Sequence, residues 1–162
     1  MNKQDYIKQL NLSPHPEGGW YRQVYKSEDT FQPTETNRRL HYYTSIYFLL
    51  DDKSVSHFHR LTRDELWYFH AGDSLSIHCI SPEGKLYSVK LGNDPTKDEQ
   101  FQFDVPAGTI FASETSVPNS FSLVSCVVAP GFTFDDFELM RKRELSKKYP
   151  DYLEVINRLT LD

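Results

Sequence analysis

The residues best suited to chemistry lie in one short stretch, SHFHRLTRDELWYFHAG at residues 56–72. It carries His57 and His59 with one residue between them, and Glu65 follows six residues after the second histidine. Side chains alternate along a strand, so His57 and His59 are predicted to share a face. The segment LTRD predicts a tight turn that returns Glu65 on the adjacent strand. Two imidazoles and one carboxylate are therefore expected to converge within one hairpin.

This convergence would support two kinds of chemistry. Two histidines and one carboxylate form a set of three metal ligands that suits divalent iron, manganese, zinc or nickel. Without a metal, His57 or His59 beside Glu65 could act as a general acid–base pair. The pattern is short, and histidines at this spacing also occur as hydrogen-bonded groups on a strand that binds no ion.

Two further charged residues are candidates for contact with a ligand. Arg22 shares a predicted strand face with Trp20 and Val24, where a guanidinium is expected to meet an anionic group of a ligand or a structural carboxylate. Glu114 ends a predicted strand, where it would either face a ligand or lie exposed at a turn. The sequence leaves both alternatives open for each residue.

Two aromatic residues follow Glu65 on the same predicted strand face, namely Trp67 and Phe69. Aromatic rings in a cavity can stack on a sugar or a base, so both are candidate ligand-binding residues. In a small barrel such rings also fill the core. His57, His59 and Glu65 remain the residues on which a reaction would depend.

The elements that must position these residues are short strands. Apolar and polar residues alternate with period two from Trp20 to Val128, and turn-forming segments interrupt the pattern every few residues. The predicted strands cover residues 20–26, 41–50, 54–60, 65–70, 74–80, 85–91, 100–105, 110–114 and 121–128. This spacing favours an all-β sandwich or barrel over a parallel sheet.

Helices are predicted at both ends of a single domain that spans residues 1–162. The first covers Lys3 to Leu10, and C-terminal helices cover about 134–160, after a barrel at about 20–128. Asp151 and Glu154 have the spacing of a capping box at the start of the last helix.

Composition excludes some partners. The net charge of −5 argues against nucleic acid, which needs a concentrated basic surface. The longest apolar run, IYFLL, is too short to cross a membrane.

Cys79 and Cys126 match no metal or redox spacing and are expected to be buried reduced thiols. The N-terminus lacks the apolar stretch of a signal peptide, so a cytoplasmic location is expected.

Four motifs in order carry a resemblance to a known family: HPEGGWYRQVY, SHFHRL with DELWYFHAG, VPAG with FASE, and APGFTFDDFEL. Together they resemble the cupin superfamily, in particular its small single-domain branch of unknown function, sometimes called the cupin-five family. The resemblance runs from about Leu12 to Leu139. It implies a jelly-roll barrel, also called a double-stranded β-helix, that is commonly a homodimer. It also implies a cavity similar to those of sugar-nucleotide epimerases.

The chain departs from the superfamily pattern at two points. The gap between His59 and Glu65 is one residue longer than usual. In VPAGTIFASE, Pro106 and Gly108 match the second cupin motif, but Phe111 stands where the superfamily places a histidine ligand. A metal would therefore have only three protein ligands, and Phe111 would instead line the ligand site.

Three functions follow from these residues. The first is binding of a small polar metabolite, sugar- or nucleotide-like, with epimerase or isomerase chemistry by His57, His59 and Glu65 and with Arg22 holding an anionic group. The second is a metal-dependent oxygenase or isomerase that uses the same three residues as ligands. The third is a ligand-binding module without catalysis.

Overall fold

The computed structural model describes residues 1–16, 18–34, 36–115 and 117–162. Three α-helices lie at the ends of the chain: α1 (Lys3–Gln9), α2 (Lys142–Lys148) and α3 (Leu153–Leu159). The strands are β1 (Ser13–Pro14), β2 (Trp20–Lys26), β3 (Thr30–Phe31), β4 (Leu40–His41), β5 (Thr44–Asp51), β6 (Ser56–Leu61), β7 (Asp64–Gly72), β8 (Leu75–Ile80), β9 (Leu86–Leu91), β10 (Glu99–Gln100), β11 (Gln102–Val105), β12 (Ile110–Thr115), β13 (Phe121–Ala129) and β14 (Phe137–Leu139).

Two six-stranded sheets make up the body of the fold. Sheet 1 has the strand order β1-β2-β5-β13-β7-β11, and sheet 2 has the order β10-β9-β8-β12-β6-β14. The pairs are antiparallel except β10 with β9, and β3 pairs with β4 apart from both sheets. The all-β fold expected from the alternating pattern is confirmed, and so is the jelly roll that the resemblance to cupins implies. The largest shift in a strand start is at β5, which was predicted from residue 41 and begins at Thr44.

Alternation along each strand divides the side chains between an interior and two outer faces. The interior between the sheets is filled by large apolar side chains, among them Phe48, Trp67, Ile77 and Phe111. Each of these four is at most 3% exposed. The cavity described below lies on this interior side.

The helices cover parts of the outer faces. α1 packs Tyr6 and Ile7 against the outer face of sheet 1, and its C-cap residue Leu10 packs there too. Its start is fixed by a capping box between Asn2 and Asp5, and it ends one residue before the predicted Leu10. On the other side, Leu145 and Ile156 of α2 and α3 pack on the outer face of sheet 2.

The C-terminal prediction is wrong in part. The segment expected to be helical from about residue 134 instead forms a 3-10 turn, Phe134–Asp136, and then β14. β14 pairs with β6, so the backbone of residues 137–139 satisfies its hydrogen bonds at a sheet edge. α2 begins only at Lys142.

The predicted capping box at the last helix is also wrong. Pro150 opens a 3-10 turn that contains Asp151, because proline suits the first position of a helical turn. α3 therefore begins at Leu153, with Tyr152 at its N-cap and no hydrogen bond from that side chain to the helix end. Among the described residues, no helix is long and apolar enough to span a membrane.

Candidate functional site

The turn after β6 connects the two sheets. β6 belongs to sheet 2 and β7 to sheet 1, so Thr62 and Arg63 carry the chain across the fold. The predicted hairpin that joins His59 to Glu65 within one sheet is therefore wrong. His59 and Glu65 instead reach the interior from opposite sheets, and both line the same cavity.

A β-bulge in β6 separates the two histidines. Ser56 pairs with Ser113 and His59 pairs with Phe111, so two residues of β6, His57 and Phe58, lie opposite a single residue of β12. Ser56 and His59 consequently both face the cavity, whereas Phe58 packs on the outer side beneath the helices. The prediction that His57 and His59 share a face is wrong, because strict alternation fails at a bulge. His57 is not among the residues that line the cavity.

The cavity has a volume of about 280 Å³. Its polar lining includes His15, Gln23, Thr44, Ser56, His59 and Glu65. Its aromatic lining consists of Tyr21, Phe48, Trp67, Phe132 and Phe134. The arrangement of apolar walls with a few polar groups is typical of small-molecule sites.

His59 is held in one orientation by the rings around it and by a hydrogen bond. It is 3% exposed, and its ring packs 4.1 Å from the ring of Phe111 and 5.4 Å from that of Phe137, between centroids. Its Nδ1 lies 2.7 Å from the backbone oxygen of His57. A carbonyl oxygen only accepts hydrogen bonds, so Nδ1 carries the proton. In the neutral ring, Nε2 then bears the lone pair that can accept a proton.

Glu65 is anchored by its neighbour on the same strand face. It is 7% exposed, and Trp67 donates a hydrogen bond from Nε1 to Oε2 of Glu65 over 3.1 Å. The two residues share this face because they lie two apart on β7. The indole thus lines the cavity and also orients the carboxylate.

The opening of the cavity is bordered by Phe132 and Phe134, which we call the mouth. Their rings meet edge to face at 5.2 Å, and Phe134 is 68% exposed although it lines the cavity. Phe134 begins the 3-10 turn that ends at Asp136. The position of the mouth therefore depends on what holds this turn.

Asp136 holds the turn of the mouth. It is 4% exposed and accepts hydrogen bonds from Thr133 at 2.8 Å, from Thr62 at 2.9 Å and from Arg38 at 3.0 Å. Burial alone would raise the pKa of the Asp136 carboxyl, but the hydrogen bonds from Thr133 and Thr62 and the charge of Arg38 outweigh burial and lower it. A buried carboxylate thus joins the mouth to the turn between the sheets.

Two predicted ligand contacts lie on outer faces. In β2, Tyr21 and Gln23 face the cavity, so Arg22 between them faces outward, and the role of Arg22 in holding an anionic ligand is wrong. In β12, Phe111 faces the interior, so Glu114 lies on the other side. Glu114 instead pairs with Arg158 at 2.8 Å.

Glu114 also contacts a histidine on the outer face of sheet 2. His78 Nε2 lies 3.0 Å from Oε1 of Glu114, and His78 Nδ1 lies 2.7 Å from the hydroxyl of Ser88. Together with Arg158 of α3, this network ties the last helix to the sheet. The predicted ligand role of Glu114 is therefore replaced by a structural one.

Two predicted aromatic contacts lie beside the cavity rather than on its lining. Phe69 packs in the interior core between the sheets, whereas Trp67 on the same face lines the cavity. Phe111 is 1% exposed and supports the ring of His59 from behind. Phe111 therefore positions the imidazole, and a ligand in the cavity meets His59 first.

The predicted three-ligand metal site does not fit the described residues. His57 is displaced by the bulge, and Phe111 offers no lone pair at the position where the superfamily places a histidine. Within residues 1–16, 18–34, 36–115 and 117–162, no group of three or more His, Cys, Asp or Glu side chains is arranged to hold a metal ion.

Sequence reasoning missed several residues of the lining, including His15, Tyr21, Gln23, Thr44 and Phe132. The alternation of β2 did place Tyr21 and Gln23 on one face, and this signal was available. His15 lies outside the regular strands and packs its ring 4.5 Å from that of Tyr21, between centroids. Thr44 accepts a hydrogen bond from the Phe132 backbone, a long-range contact that periodicity cannot reveal.

Comparison with known families agrees with this fold. The family described as Cupin superfamily (DUF985) matches residues 4–140, which is most of the chain. The chain belongs to this cupin family. A curated relative from Saccharomyces cerevisiae, the uncharacterized protein YML079W, is 29% identical over 153 residues and covers 85% of this chain and 75% of its own.

Solved structures of similar proteins support the cupin fold over the whole chain. Protein SO0799 from Shewanella oneidensis is 50% identical, with a TM-score of 0.91 and coverage of 99% of this chain and 98% of that one. A hypothetical protein from Leishmania major is 37% identical, with a TM-score of 0.92 and full coverage of both. Oxalate decarboxylase from Bacillus subtilis shares only 16% identity at a TM-score of 0.57, covers 90% of this chain and 36% of its own, and shows the fold alone.

Proposed function

We propose that this cupin binds a small polar metabolite, of the size of a sugar, in the cavity between its sheets. We further propose that His59 moves a proton on that ligand. The observation that supports both proposals is the buried His59 ring, whose Nδ1 is fixed by the His57 carbonyl in a cavity that Glu65 also lines. Buried, pre-oriented acid–base groups in a pocket are typical of catalytic sites.

The chemistry that this arrangement suits is proton transfer beside a carbonyl. Nε2 of His59 would accept the proton from the carbon, which leaves an enolate on the ligand and an imidazolium on the protein. The Glu65 carboxylate would stabilise the imidazolium, and Trp67 would keep that carboxylate in place. Return of the proton from the His59 imidazolium to a neighbouring atom on the same face of the enolate completes an isomerisation.

A ligand-binding module without turnover is the second candidate, and the same cavity supports it. Incubation of the protein with small aldoses and ketoses in D₂O separates the two, because proton abstraction exchanges the carbon-bound hydrogen and proton NMR detects the loss of its signal. We expect exchange with the wild type and none with His59→Asn. His70→Asn is the matched control, because His70 is exposed and does not line the cavity.

Each outcome of this experiment has a clear meaning. Exchange that survives in His59→Asn would refute the role of His59. Binding without exchange in the wild type would favour the ligand-binding module. Failure of any metabolite to bind or to co-purify, as measured by native mass spectrometry, would refute the proposed function itself.

Assembly and location form part of the same proposal. We propose a homodimer, because exposed sheet edges such as that of β11 tend to be covered by a partner strand or surface. We also propose a cytoplasmic location, which suits the free, buried thiol of Cys79.

A further inference from the structure

The described part of the cavity lining includes an acidic side chain but no lysine or arginine. Every lysine and arginine of the chain is among the described residues, and none of them lines the cavity. The described lining does carry a carboxylate, Glu65. An anionic ligand would thus enter without a permanent positive partner, and removing such a charge from water is costly unless it is paired.

The aromatic part of the lining suits the opposite charge. Tyr21, Phe48, Trp67, Phe132 and Phe134 all contribute to the walls. Aromatic rings attract cations through the negative potential of their faces, and they also stack on flat rings. Five such side chains with one carboxylate therefore provide a surface for a flat, neutral or positively charged group.

The volume restricts the size of the ligand. About 280 Å³ lies at the low end of the roughly 300–1,000 Å³ that is usual for ligand sites. One ring with a short substituent fits this space. A nucleoside diphosphate sugar is too large, and its phosphates would lack a basic partner in the lining.

From these three observations we infer that the cavity selects a single-ring ligand that is neutral or carries an amine, and that it rejects carboxylates and phosphates. This inference rests on the proposed function, since it names the ligand class of the same cavity. Glu65 provides the selection for positive charge, and the mouth residues Phe132 and Phe134 provide the selection for a ring.

The test uses three probes with the same ring and different charges: benzylamine, benzyl alcohol and benzoate. Their dissociation constants are measured by NMR titration at about pH 8, above the usual range of histidine protonation. We expect benzylamine to bind tightest, benzyl alcohol next, and benzoate at least about tenfold more weakly than benzylamine. Benzoate binding as tightly as benzylamine would overturn the inference and leave the proposed function standing. If none of the three probes binds, the inference is overturned, whereas the proposed function is refuted only by the native mass spectrometry described above.

The variant Glu65→Gln tests whether Glu65 is the side chain that selects for positive charge. Glu65→Gln keeps an oxygen that can accept the hydrogen bond from Trp67 but removes the charge. We expect benzylamine to lose about tenfold in affinity and benzyl alcohol to be unchanged. The matched control is Glu138→Gln, a carboxylate that pairs with Arg60 at the surface and does not line the cavity. An equal loss in both variants would overturn the role of Glu65. The wild-type order of the three probes tests the inference even if Glu65→Gln does not fold.

Discussion

Replacement of Asp136 by asparagine tests whether the mouth is held by a buried carboxylate. Asp136 accepts hydrogen bonds from Thr62 and Arg38 at one oxygen and from Thr133 at the other. Asparagine keeps one of these acceptors and places an NH₂ group at the other position. The substitution therefore removes one hydrogen bond to a charged acceptor and the ion pair with Arg38, without a change in size.

The expected loss of stability can be worked from these contacts. A hydrogen bond to a charged group contributes about 1.5–3 kcal/mol. The Arg38 side chain is 38% exposed, so solvent screens the ion pair and it adds little to this. We expect Asp136→Asn to lower the free energy of unfolding by about 2–3 kcal/mol at pH 7. For a chain of this length, that corresponds to a fall in Tm of about 4–12 °C.

The stability difference between wild type and Asp136→Asn should also depend on pH, in a direction that the pKa of Asp136 determines. The pKa of Asp136 in the fold lies below its ordinary value of 3.8. A lowered carboxyl pKa stabilises the fold at pH above the ordinary value, and this stabilisation is lost as the pH falls through the folded value. The difference between wild type and Asp136→Asn should therefore be full at pH 7 and shrink below about pH 4. Urea unfolding followed by circular dichroism at several pH values measures it.

The matched control is the neighbouring residue. Asp135 pairs with the same Arg38, but its side chain is 77% exposed. Asp135→Asn should change the free energy of unfolding by less than about 0.5 kcal/mol. The reasoning is refuted if the two variants lose equal stability, or if the loss in Asp136→Asn is the same at pH 3 as at pH 7.

Four further predictions follow from the fold and the site. Phe134→Ala should leave the free energy of unfolding within about 0.5 kcal/mol of wild type, because the ring is exposed, yet weaken benzyl alcohol binding about three- to tenfold by NMR titration. Phe101→Ala, also exposed but outside the cavity, should change neither the stability nor the binding. Burial raises the pKa of Cys79 to about 12, so in a Cys126→Ser variant Ellman's reagent should find no reactive thiol until urea unfolds the protein. Light scattering at micromolar concentration should give twice the chain mass of 19.0 kDa, and the mass of a single chain would contradict the homodimer. Elemental analysis of protein purified without chelator or affinity tag should find less than one equivalent of iron, manganese, zinc or nickel, whereas a stoichiometric metal would contradict our account of the histidines.

The strands could be predicted from sequence because alternation is a local property. Gln102–Val105 and Phe121–Ala129 each show which side chains share a face, and the structure agrees. Alternation does not say which of the two faces is the interior. Arg22 was correctly grouped with Trp20, but the interior face of that strand is the one that carries Tyr21 and Gln23.

The remaining differences come from pairing between distant strands. The bulge at His57 and Phe58 results from the pairing of β6 with β12, and the sequence of β6 contains no signal that predicts it. Residues 137–139 form a strand because they pair with the edge of β6, although their sequence pattern is also compatible with a helix. The site was therefore predicted in its residue types, namely His59, Glu65 and Trp67, and not in its geometry.

Because of the bulge in β6, the C-terminal helices are a suitable site for a probe that detects a ligand in the cavity. Adjacent residues of one strand serve both sides of sheet 2: His59 lines the cavity, and Phe58 packs beneath α2 and α3 while its carbonyl accepts a hydrogen bond from Met140. One peptide unit therefore joins a residue that lines the cavity to a residue that packs beneath the helices. A fluorescent dye attached at Glu154→Cys, a position whose side chain is 97% exposed, would report occupancy without blocking the mouth. The fold could in this way serve as the frame of a small-molecule biosensor.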